Sequence, residues 1–245
     1  MSIWGKIIGG TAGFALGGPI GAILGMMVGG SFDRKAKRFS NIKNYSSQQK
    51  QKIFVLSIII LSAKIAKADG QVTKDEIYAF KEKFKIPENE MSEVGQIFNE
   101  AKKTKDGYEN IATQVGTLFS ENKILLEELL NNLFFIAESD GNTSIEEVKI
   151  LKSISQSFGL SEIDFQRIFH SRLNKKNSDP YKVLGVNRED NDLIIRKKWI
   201  LLSKNHHPDN LIAKGLPQEF IDQANKELSA INLAYDKIKQ QRGIN

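Results

Sequence analysis

No charged residue stands between Lys6 and Asp33, a run of 26 residues rich in Ile, Leu, Met, Ala, Phe and Gly. At about 1.5 Å of rise per residue such a run crosses a hydrocarbon core of about 30 Å, so the sequence predicts a transmembrane helix over segment 1–33. Gly5, Gly9, Gly13, Gly17, Gly21, Gly25 and Gly29 fall at every fourth position. On a helix they form one nearly straight bare row of overlapping G-x-x-x-G motifs, along which a second backbone can approach closely. Self-association through Gly9 to Gly29, giving a homodimer, is the functional reading. Two others stay open: glycine is common in membrane helices generally, and Pro19 could bend the run or leave it at the interface. A cleaved signal peptide fits poorly, because Lys6 is the only cation before the run and no A-x-A-like site closes it.

Charge sets the expected orientation. Between Arg34 and Lys52 stand seven cations, Arg34, Lys35, Lys37, Arg38, Lys43, Lys50 and Lys52, and no acid. They outweigh Lys6, so the positive-inside rule predicts a single-pass protein with a short N-terminus outside and everything after Ser31 in the cytoplasm. The same basic juxtamembrane segment, 34–52, is placed to touch anionic headgroups. It also accounts for the formal net charge of +6. Residues 53–177 carry 16 basic and 19 acidic side chains and residues 178–245 carry 11 and 9, so neither region is a cationic body suited to nucleic acid. The absence of cysteine removes disulfides, thiolate catalysis and thiolate zinc sites.

Residues 46–172 read as helical throughout, and a shift of 71 positions lays the segment on itself: Ile53 on Ile124, Ala66 on Ala137, Asp69-Gly70 on Asp140-Gly141, Glu76 on Glu147, Ile97-Phe98 on Ile168-Phe169. Two copies of one helical unit follow. Each opens with a very apolar helix too short to span a membrane, which predicts a bundle core of Phe54, Ile58, Leu61, Leu129, Leu133, Phe134 and Ile136. After each helix comes an acidic loop. Both loops resemble those of TerB-like domains of the tellurite-resistance group, a resemblance that implies Asp69, Glu76, Asp140 and Glu147 as candidate metal positions. The residues themselves favour capping: Thr73-x-x-Glu76 and Ser144-x-x-Glu147 are capping boxes, and neither loop has the oxygen spacing of an EF-hand. The chain therefore predicts a middle domain folded without metal and implies no cofactor. His170 and His206 read as ordinary surface or helix-end histidines.

The segment 178–245 predicts three helices. Ser178-Asp179 can cap a short one through Tyr181, Lys182, Val183 and Leu184, which Gly185 closes. From Leu193 to His206, Ile194, Ile195, Trp199 and Leu202 give an apolar face, with Arg196, Lys197, Lys198 and Lys204 on a basic one. Phe220, Ala224, Leu228, Ile231, Ala234 and Ile238 make a second stripe, so two helices can pack antiparallel with His207-Pro208-Asp209 exposed where they join. A leading D-P-Y-x-V-L-G, an apolar seam and an exposed H-P-D resemble the J-domain of DnaJ-family co-chaperones. The loop Asn210 to Pro217, the ending Ala234 to Gly243 and the opening Trp4 to Gly9 resemble the membrane-anchored DjlA type. The fold class expected is all-α: a glycine-rich transmembrane helix, a TerB-like duplicated bundle and a C-terminal J-domain.

That resemblance implies a co-chaperone of the bacterial inner membrane that stimulates ATP hydrolysis by a DnaK-type chaperone and is not itself an enzyme. It assigns DnaK binding to His207, Pro208, Asp209, Arg196, Lys197, Lys198 and Lys204. Pro208 stiffens the turn, Asp209 can pair with an arginine of the partner, and the cations steer toward an acidic surface. One departure stands out: after the aromatic Trp199, where the family usually has two basic residues, come Ile200 and Leu201. A membrane scaffold, or a metal or oxyanion stress sensor working through the acidic loops, remains the alternative.

Overall fold

Every regular element among the described residues of the computed structural model is helical. These residues are 46–67, 80–82, 84–103, 107–138, 143–172 and 178–244. The uncharged N-terminal run with its glycine row, and the first acidic loop with Asp69, Thr73 and Glu76, lie outside them, as does Asp140. Among the described residues no helix is long and apolar enough to cross a membrane. The chain divides into two compact units, one from the described part of Met1–Glu121 with Ile136–Gly159, the other from Asn122–Phe135 with Leu160 onward.

In the first unit, α1 (Ser47–Ala66) opens on a capping box: Ser46 N–H donates to Gln49 Oε1 at 2.8 Å and Gln49 N–H to Ser46 Oγ at 3.3 Å. From Ile53 to Ala66 it is buried on every side. A helix apolar all round belongs in a core, and α2 (Met91–Ala101), α3 (Tyr108–Leu118) and α5 (Ile145–Ser157) pack on it. Gly116 lets α3 meet the end of α5 backbone to backbone, since a Cβ there would stand 2.5 Å from the Ser157 carbonyl oxygen. Helix α5 starts on the capping box expected at Ser144: Glu147 N–H donates to Ser144 Oγ at 3.1 Å, and Ser144 N–H to Glu147 Oε2 at 2.7 Å. Glu147 is thus a capping carboxylate. Ser144→Ala should lower the stability of this unit by about 1 kcal/mol, measurable by urea unfolding; a loss under about 0.3 kcal/mol would mean the cap contributes little.

The duplication is visible in the helix bounds. Helices α1 and α4 (Lys123–Ala137) end at 66 and 137, and α2 and α6 (Glu162–Arg172) occupy 91–101 and 162–172, each a shift of 71. All seven core residues expected from the sequence are buried. Yet the compact units do not follow the two copies, because Asn122–Phe135 and α6 group with the C-terminal segment.

In the second unit, α7 (Pro180–Leu184) is capped by Asp179, whose Oδ1 accepts the Tyr181 N–H at 3.0 Å, and it ends on Gly185 at φ 65°. Helix α8 (Asp192–Asn205) and α10 (Ile221–Arg242) run antiparallel. Their register is fixed by Arg242 on Asp192 at 2.8 Å, by Trp199 stacked on Tyr235 at 4.2 Å, and by Trp199 Nε1 and Ser203 Oγ donating to Asn232. Tyr181, Val183, Leu184, Ile195, Leu202, Ile231, Ala234, Tyr235 and Ile238 form the core between the three helices. Between α8 and α10 the chain makes a six-residue helix, α9 (Pro208–Ala213), and a single 3-10 turn, Gln218–Phe220.

Candidate functional site

The H-P-D tripeptide is the start of α9, not an irregular loop. His207 is the N-cap and Pro208 occupies the first turn, where its missing N–H costs nothing. His207 Nδ1 accepts the N–H of Asp209 at 3.3 Å, which fixes the imidazole over the turn. Asp209 Oδ2 lies 3.8 Å from the same nitrogen, and the two side chains are 55% and 89% exposed. The backbone beneath is held: Asn210 Nδ2 donates to the Asn205 carbonyl at 2.9 Å, and Leu211 is fully buried.

The cationic residues sit on α8, with Arg196, Lys197 and Lys204 exposed and Lys198 half-buried. The face they share is less uniform than helical periodicity predicts. Only Ile195 and Leu202 are buried, with Trp199 partly so; Ile194 is 48% exposed, and Leu193, Ile200 and Leu201 also face outward. α7 and α10 cover only a narrow stripe of α8, so its outer surface alternates cations with large apolar side chains.

The larger surprise is His206, which is 1% exposed. Its Nδ1 lies 2.7 Å from Glu128 Oε1 and its Nε2 3.3 Å from Glu127 Oε2. Arg167, equally buried, donates to Glu127 Oε2 at 2.5 Å and to Glu227 Oε1 at 2.7 Å, and Ser171 Oγ supports Glu227 at 2.9 Å. Burial would lower the His206 pKa, but hydrogen bonds to Glu127 and Glu128 overcome it and raise it from 6.5 to about 9. Burial would raise that of Glu127, and the Arg167 guanidinium and then His206 hold it below the usual carboxylate value. As an imidazolium, His206 donates from both ring nitrogens, so the 3.5 Å approach of Arg167 to Nε2 is then not a hydrogen bond.

Because the folded-state pKa of His206 is raised, its contribution is complete below about pH 6.5 and disappears as pH climbs through about 9. Glu127 acts at the other end, its contribution being lost as pH falls below its ordinary 4.5 and through its lowered folded value. His170 has a lowered pKa, from burial and then Lys182, so it opposes stability only as pH falls below 6.5. Thermal melting of the C-terminal unit should therefore weaken between pH 6.5 and 9, and His206→Gln should flatten that slope. Parallel slopes in both proteins would show that the imidazole is neutral in the fold.

The sequence carries a signal for this cluster outside its motifs. At the shift of 71, Leu56, Ser57 and Gln96 stand where the second copy has Glu127, Glu128 and Arg167. Two adjacent acids buried among the leucines of α4 require partners. Among the described residues no group of three or more His, Asp and Glu is placed to hold a metal ion.

Comparison with known proteins agrees with this arrangement. The family described as tellurite resistance protein TerB matches residues 55–170, and that described as co-chaperone DjlA transmembrane domain matches residues 1–49. Similar over their full lengths are proteins named co-chaperone protein DjlA. That of Coxiella burnetii is 28% identical over 100% of both chains, that of Photobacterium profundum 26% over 98% of this chain and 99% of its own, and that of Vibrio parahaemolyticus 29% over 99% of both. No solved structure matches. A TerB-like helical domain followed by a helical segment that presents H-P-D defines a DnaJ-like co-chaperone. This chain is similar along its whole length to the membrane-anchored DjlA type.

Proposed function

We propose that the chain stimulates ATP hydrolysis by a DnaK-type chaperone and recruits it to clients at the inner membrane, without being an enzyme itself. One observation carries the reading: His207 and Asp209 stand out of the fold on a backbone fixed beneath them by Asn210 and Leu211. Asp209 then offers a carboxylate to an arginine of the partner, and Arg196, Lys197 and Lys204 steer the encounter. Ile200 and Leu201 add apolar contact where further cations would otherwise stand, so the dependence on salt should be shallow. The full chain in nanodiscs, added to the host's DnaK, should raise steady-state ATP hydrolysis; an unchanged rate across a concentration series would remove the proposal.

The positive-inside rule supports a cytoplasmic C-terminal region, and the glycine row supports a homodimer. Gly17→Leu or Gly21→Leu should weaken association of residues 1–40 in a membrane reporter, while Gly18→Leu should not. Equal sensitivity at both kinds of position leaves a simple anchor.

A further inference from the structure

Helix α9, which carries the tripeptide, is held at both ends by one short stretch of chain that is remote in sequence. On the N-terminal side, His206 is the C-cap of α8, its N–H donating to the Leu202 carbonyl at 2.9 Å, and its ring is locked between Glu127 and Glu128. On the C-terminal side, Asn122 Nδ2 donates to the Lys214 carbonyl at 3.1 Å. Asn122, Glu127 and Glu128 all lie at the start of α4, outside the segment 178–245 that carries the J-domain motif. We propose that Asn122–Glu128 is a positioning brace for the H-P-D turn, with Glu128 and Glu127 setting, through His206, the direction in which His207 and Asp209 point.

The chemistry fits positioning better than adhesion. A buried ionic cluster stabilises poorly compared with apolar side chains of the same volume, because desolvation opposes the attraction, but it is demanding about geometry. With His206 protonated, two cations, Arg167 and His206, face three carboxylates, Glu127, Glu128 and Glu227. Glu227 comes from α10 and Arg167 from α6, so the brace is itself fixed by two further helices. His206 is 1% exposed and its chain neighbour His207 is 55% exposed, so the backbone that anchors the buried ring is the one that carries the exposed ring.

The stimulation readout rests on the proposed co-chaperone activity, whereas amide exchange does not. In the full chain in nanodiscs at pH 7, Glu128→Gln should reduce maximal DnaK stimulation about five- to tenfold while changing the half-saturating concentration less than about twofold. Peptides covering 205–216 should exchange faster, with no change in the rest of the unit. The double variant Glu128→Gln/His206→Gln puts an uncharged hydrogen-bonding pair in place of the charged one and should recover much of the loss. Should Glu128→Gln fail to fold, Asn122→Ala reads the other end of the brace by the same two measures. Wild-type exchange over 205–216 in a folded variant, or faster exchange spread evenly over the unit, overturns the inference. Absence of stimulation by the wild type removes the proposed function alone, and the exchange data still decide the brace.

Discussion

Asp209→Asn should reduce ATPase stimulation to the rate of the chaperone alone while leaving the melting temperature within about 2 °C of the parent protein. The two halves of that expectation come from the same geometry. The carboxylate is 89% exposed, and His207 Nδ1 is 3.8 Å away, too long for a hydrogen bond. The fold therefore makes little use of the charge, whereas a partner arginine would lose a charge-assisted bond and keep the cost of its own desolvation. His207→Gln is a harder test. Its ring nitrogen caps α9 through the Asp209 N–H, so this variant should lose up to about 1 kcal/mol of stability along with activity. Stimulation at the wild-type level by a folded Asp209→Asn protein would separate the tripeptide from the mechanism.

Local signals in the sequence located the helices well, because each carries its own ends. Asp179 with Gly185, Ser144 with Glu147, and Asn191, whose Oδ1 accepts the Ile194 N–H at 2.9 Å, are cap residues whose chemistry acts within four positions. The 71-residue shift likewise foretold matching helices, since repeated spacing of apolar positions builds repeated elements. Partners remote in sequence were another matter. Nothing near His206 indicates that it is buried, and its partners are 78 and 79 positions away. Likewise the apolar face of α8 was drawn too wide, because periodicity shows which residues share a side and not how much of that side a neighbour covers. The outward Ile194 is the result. The two copies diverge most informatively at Gln96, which is exposed, and Arg167, which is not. Arg167 lies under the C-terminal segment, and that covering is why a charge there needed Glu127 and Glu227.

Arg167→Ala should accordingly destabilise the C-terminal unit by about 3–5 kcal/mol, because it leaves two carboxylates buried with one cation fewer. Against a typical total of about 5–15 kcal/mol for a domain, that loss would populate the unfolded unit under mild denaturant. Arg167→Met with Glu127→Leu and Glu227→Leu should do far less harm, since apolar groups of similar volume remove the desolvation problem. The first copy offers a precedent, placing a buried Leu56 at the position of Glu127. Trp199 is stacked on Tyr235 inside this unit, and the chain has only one other tryptophan, Trp4, so indole fluorescence in urea follows the transition. A loss below about 1 kcal/mol for Arg167→Ala would mean that water reaches the cluster. In that case Glu128 and His206 would be solvated too, and α9 would have to be held by Asn122, Asn210 and Leu211.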